Sequence, residues 1–248
     1  MEIHLLKPFR DDLSIRFDLA PFITDWASTQ AKFIAVIVRE FGELLSVRPQ
    51  DFHSSHSMEL GELWCKYRIF GGPSAIVLSP DSLQLNFATL NENDYPTVMT
   101  IIQKSADVLL KDIGSYTRDR VSLTSSQHVG TVENGVADVY LNQFAWKQPA
   151  DVVKLNSEVV YKPAAKIILS DNSASERHWI IHRLVEKSEL LPDGLFVTTT
   201  IFISSPEVMS FDEQSRLVQR ICALADQAVG LRRLGDNDDD AASWQSGT

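Results

Sequence analysis

LWCKYRIFGGPSAIVLSPDSLQLNFATL, residues 63–90, decides the fold. Leu63, Cys65, Tyr67 and Ile69 alternate with Trp64, Lys66, Arg68 and Phe70, the two-residue period of a strand with two unlike faces. Gly71-Gly72-Pro73 ends that run, Ala75–Leu78 is a second, and Ser79-Pro80-Asp81 turns the chain. Leu83, Leu85 and Phe87 then alternate with Ser82, Gln84 and Asn86 as a third strand. From Asp94 the period lengthens. Tyr95, Val98, Ile102, Ala106, Leu109 and Ile113 share one helical stripe, with Pro96 suited to the first turn and Gly114 to the stop.

A similar order returns between Arg177 and Leu231. Trp179, Ile181, Arg183 and Val185 alternate with His178, Ile180, His182 and Leu184, and Leu191-Pro192-Asp193-Gly194 leads into a β-branched run, Leu195–Ile203. Ser210 and Glu213 have capping-box spacing, and Leu217, Ile221, Leu224, Ala228 and Leu231 give the closing helix its stripe. Gly235 is expected to end it, with Arg232 and Arg233 near the negative end of its dipole.

Before the first unit, Leu13, Ile15, Phe17 and Leu19 alternate as a strand, and Thr24 opens a helix carrying Phe33, Ile34, Ile37, Phe41, Leu44 and Leu45. Residues 48–61 have no period and read as a loop. Arg120–Thr124 echoes the first strand, Gly135–Trp146 fits either a short helix or a strand, and Val159–Tyr161 and Lys166–Leu169 read as strands. The fold class is therefore α+β, an internal duplication of two similar lobes, each an antiparallel sheet followed by a long helix: residues 1–115, residues 116–235, and an acidic disordered tail at 236–248.

Hydrophobic residues make up 44% of the 248 and charged residues 23%, the balance of a folded chain. The longest apolar run, Phe33–Val38, is too short to span a bilayer, and Met1–Arg10 lacks the pattern of a signal peptide, so no membrane association and a cytoplasmic location are expected. The formal net charge is −10, of which the tail supplies four. Such a chain repels a phosphate backbone, which disfavours nucleic acid as a partner and suits a basic protein.

Catalytic signatures are absent: no glycine-rich phosphate loop, no H-E-x-x-H, no G-x-S-x-G, no paired C-x-x-C. Cys65 and Cys222 stand alone and read as buried thiols. His178 and His182 are four apart, which on a strand separates them by about 13 Å, too far to share one ion. No metal and no cofactor are expected. The non-core faces are more informative. Trp64, Lys66, Arg68 and Phe70, with His178 and His182, join aromatics to cations, the composition of an interface.

Leu83, Leu85, Asn86, Phe87, Tyr95 and Pro96 form the pattern L-Q-L-N-F followed by D-Y-P-T-V. This resembles the signature of a sporadically distributed family of uncharacterised two-lobed bacterial proteins, whose N-terminal pattern the chain does not share. The resemblance implies the two-lobed architecture and no activity.

Two functions lead, ahead of a small-molecule pocket inside one curved sheet. The first is a non-enzymatic protein-binding module acting through an exposed sheet face, towards a protein partner or another copy of itself; chaperone-like and antitoxin-like roles belong to this class. The second is a hydrolase with a site between the lobes, drawing on His53, His56, His178 or His182 and a carboxylate such as Asp51 or Glu186.

Overall fold

In the computed structural model, residues 2–45, 48–55, 59, 62–70, 72–113, 117–144, 164–171, 178–204 and 211–233 are described. The first strand, β1 (Ile3–Ala20), begins ten residues before the alternation at Leu13, and α1 (Trp26–Leu45) follows it. Ser28 donates its backbone N–H to Asp25 Oδ1 at 3.3 Å, so Asp25 rather than Thr24 caps α1. Next come β2 (Phe52–Ser54), β3 (Cys65–Arg68), β4 (Ala75–Ser79) and β5 (Ser82–Leu90). Then α2 (Tyr95–Lys104) passes through a π turn at Ser105–Leu109 into α3 (Leu110–Ile113).

The second half opens with β6 (Thr117–Thr131) and α4 (Val136–Asn142), which settles the ambiguous stretch as helix. It continues with β7 (Ala165–Ser170), β8 (His178–Lys187), β9 (Gly194–Ser204), α5 (Phe211–Val229) and β10 (Leu231–Arg233). Val159–Tyr161, His56, Ser210 and the acidic tail lie outside the described residues.

The strands expected in two sheets form one of ten strands, ordered β2-β3-β4-β5-β1-β6-β9-β8-β7, with β10 beside the start of β1. All neighbours are antiparallel except β10, which runs parallel to Ile3–Leu5. The join is β1 with β6, in register from Leu5–Thr131 to Ala20–Thr117 and interrupted by bulges. From Arg10 to Asp18 the pairing is unbroken, so the two halves share one sheet.

Every described core cluster lies on one face. Ile15, Tyr67, Ile76 and Leu85 pack with Phe33, Ile37 and Phe41 of α1 and Val98 and Ile101 of α2. Leu5, Val129 and Leu195 pack with Tyr140 and Leu141 of α4, and Ile181 and Ile201 with Ile221 and Ala225 of α5. The buried side of α5 is Ile221, Ala225, Asp226 and Val229, while Leu224 is 41% exposed, so the stripe lies to one side of the expected one. The helix also stops five residues early. Gly230 takes a left-handed φ of 70°, and Leu231–Arg233 become a strand instead of a final helical turn.

Candidate functional site: the uncovered sheet face

Residues directly opposite one another in an antiparallel sheet point to the same face, so the register identifies what lies on the side away from the helices. One row runs His53, Lys66, Val77, Gln84, Arg16, Ser122, Phe202, Ile180, Ser170 across nine strands. The next runs Arg68, Ala75, Asn86, Ser14, Thr124, Thr200, His182, Ile168. His178 stands on a third row with Ser204, Arg120 and Asp18. No described helix packs on this side.

The six residues expected to bind a partner can now be placed. Lys66, Arg68, His178 and His182 share the open face, but as two groups: β3 and β8 are six strand spacings apart, about 29 Å at ordinary inter-strand distance. The Lys66 ammonium sits 5.2 Å from the Trp64 ring centroid, a cation–π contact that keeps the indole on the same side. Phe70 lies past the end of β3 in a turn, at a positive φ of 57° and 45% exposed, so strand alternation does not set its direction. His182 meets Phe202 edge-on at 5.8 Å. Around it Ile168 and Ile180 are 57% and 42% exposed.

The middle of the face is polar and internally bonded. Ser14 Oγ donates to Asn86 Oδ1 at 2.8 Å, and Gln84 Nε2 donates to both Ser14 Oγ (3.1 Å) and Asn86 Oδ1 (3.0 Å). Arg16 bridges Asp18 at 2.7 Å and Asp81 at 2.8 Å. Burial pushes the Asp81 carboxyl up, but hydrogen bonds from Ser79 and Ser82 and the charge of Arg16 together hold it below its ordinary value. These carboxylates are already engaged as ion-pair partners.

The described histidines of the hydrolase reading, His53, His178 and His182, do not gather. His53 on β2 and His182 on β8 are seven strand spacings apart, about 34 Å. Asp51 is held by Arg48, whose Nε lies 3.1 Å from it, and Glu186 stands on β8 opposite Phe196. Among the described residues no group of three or more His, Cys, Asp or Glu is placed to hold a metal ion. Burial pushes the Cys65 thiol up to about 12 and raises that of Cys222, so both are protonated and poor nucleophiles near neutral pH.

A second polar feature, on the covered face, escaped the sequence reading. Asp11 accepts from Tyr95 Oη (2.6 Å), Ser125 Oγ (3.0 Å) and Gln127 Nε2 (3.0 Å). Gln127 Oε1 accepts from Arg233 Nη2 at 2.9 Å, and Arg233 Nε donates to Asp226 Oδ2 at 3.2 Å. Arg183 Nη2 lies 2.9 Å from Asp226 Oδ1 and donates to the Cys222 carbonyl at 3.2 Å. This chain of groups crosses between the apolar clusters and ties α2 and β1 to β6, β8, β10 and α5. Burial, followed by the bond to Asp11, raises the Tyr95 hydroxyl well above its ordinary value, so it stays protonated and donates. With both carboxylates engaged, the chain is suited to fixing positions and has no free base.

No protein-family model matches the chain, and no curated protein is significantly similar to it. Among the described residues no helix is long and apolar enough to cross a membrane.

Proposed function

We propose that the protein is a non-enzymatic binding module whose contact surface is the uncovered face of the ten-stranded sheet. The observation that carries this reading is the pair Ile168 and Ile180, 57% and 42% exposed within β7 and β8 at one edge of the sheet, next to Phe202 and His182. Apolar side chains on a regular sheet gain from being covered, at roughly 25 cal/mol per Å² removed from water. A protein partner or a second copy of the chain in the cytoplasm would supply the cover.

The same reading treats residues 1–115 and 116–235 as two similar lobes. Its support is the order of strands: outward from the β1–β6 seam come β5, β4 and β3 on one side and β9, β8 and β7 on the other, with α2 following β5 and α5 following β9. The duplication would give the face two related ends, one around Trp64 and one around Ile180.

The test is association. Ile168→Asp/Ile180→Asp should keep its circular dichroism spectrum, yet lose self-association by light scattering or capture of its partner from host extract. A folded variant that associates as well as the unaltered chain would reject this surface.

A further inference from the structure

Resting on the open-face reading, we propose that this face receives an acidic polypeptide segment with apolar side chains, the opposite charge preference from the one that the net charge suggests. Among the described residues the strands place seven cations on it, Arg10, Arg16, Lys66, Arg68, Arg120, Lys166 and Arg232, against Asp12, Asp18 and Glu186, the neighbouring turn residue Asp81, and Glu2, which pairs with Arg232. The face is thus cationic in a chain whose formal net charge is −10. Five of the six histidines, His4, His53, His128, His178 and His182, lie there too and add positive charge when protonated.

The ion pairs sharpen the contrast. Arg10 bridges Asp12 at 3.1 Å and Arg16 takes Asp18 and Asp81. Lys66, Arg68, Arg120 and Lys166 form no salt bridge among the described residues and remain to attract carboxylates. They are spread from β3 through β6 to β7, seven strand spacings or about 34 Å. About ten residues of extended chain cover that distance. Trp64 at one end and Phe202, Ile180 and Ile168 at the other would meet its apolar side chains, while the hydroxyl and amide groups of Ser14, Gln84 and Asn86 lie between.

Magnitude separates this partner from nucleic acid. Over about 34 Å a DNA duplex presents about 20 phosphate charges, against four cations outside salt bridges and interrupted by carboxylates. A polypeptide with a few carboxylates matches that number and also uses the apolar ends.

The experiment is selection of a displayed random 12-residue peptide library on the full chain, followed by fluorescence anisotropy of the enriched peptides and of labelled (dT)12. The expected result is a pool rich in Asp and Glu with apolar residues, whose affinity falls at least tenfold on Lys66→Glu/Arg68→Glu and on Ile168→Asp/Ile180→Asp, both shown folded by circular dichroism. Basic or neutral peptides that lose binding only on the isoleucine variant would overturn the acidic partner and leave the open-face reading standing. Failure to enrich any peptide on a chain that also stays monomeric, or peptides unaffected by either variant, would overturn both. Tighter binding of (dT)12 would assign the face to nucleic acid, and a dimer dissolved by the isoleucine variant would assign it to a second copy; each overturns the proposal.

Discussion

Arg183 Nη2 stands 2.9 Å from Asp226 Oδ1, and the arginine side chain is 1% exposed. Burial pushes its guanidinium down and Asp226 opposes the shift, but an arginine stays charged in a protein, so the carboxylate is what makes the buried charge tolerable. Asp226 also holds Arg233. Its Oδ1 is within ion-pair distance of Arg183 without hydrogen-bond geometry, and Arg183 Nε and Nη1 have no hydrogen-bond partner among the described residues, so the pair is only partly satisfied.

Asp226→Ala should therefore cost about 3–5 kcal/mol in urea unfolding, because it leaves two arginines uncompensated, one of them fully buried. Arg183→Met/Asp226→Leu should recover much of that loss, since an apolar pair of similar volume carries no desolvation penalty. Equal losses in the single and double variants would show that the pair is net stabilising in its own right.

Gly194 pairs with Gly130 where β9 begins. A methyl group there would lie 2.5 Å from Leu191 Cβ and 2.9 Å from the Val129 carbonyl oxygen, neither of which is the free end of a side chain. Gly194→Ala should destabilise by about 1–3 kcal/mol through overpacking, read as a lower urea midpoint. An unchanged midpoint would mean that the Leu191 turn yields at little cost.

His128 packs against Phe196 at 4.7 Å between ring centroids, and its Nδ1 is 2.9 Å from Ser188 Oγ. Burial, and then the charge of Arg10, lowers its value below the ordinary 6.5. The folded state thus favours neutral imidazole, while the unfolded chain takes up a proton first as pH falls. Stability from this group is complete above pH 6.5 and is lost as pH drops from there through the folded value. Thermal melts between pH 7.5 and 5 should show a shallower pH slope for His128→Gln than for the unaltered chain. Identical slopes would remove His128 from the acid response.

How much of this was legible in the chain varies by element. Cys65–Arg68, Ser82–Leu90 and His178–Lys187 show in the sequence because side chains alternate where one face is packed and the other is not, and Ala75–Ser79 shows as a short apolar run between two turns. Ile3–Asp12 does not, because Pro8 and the bulges around it break the period inside a real strand. Phe52–Ser54 is too short to carry a pattern, so residues 48–61 read as loop. The shift in the α5 stripe has one cause: counting apolar positions passes over Asp226, which is buried because Arg183 across the core answers its charge. The one available sign of that partnership was an arginine in step with Ile181 and Val185. That the candidate residues at β3 and β8 share one face could not be read locally, since it depends on the register of the strands between them.

Ile180 and Ile181 are neighbours in β8 on opposite sides of the sheet, one 42% exposed and the other fully buried against α5. Thermal melting and association measured on Ile180→Asp and Ile181→Asp test the central claim most directly. The account predicts that Ile181→Asp unfolds the protein or costs more than about 4 kcal/mol, while Ile180→Asp melts within a few degrees of the unaltered chain and loses association. Comparable destabilisation by both would contradict it, showing that the face assigned to a partner is part of the protein's own core.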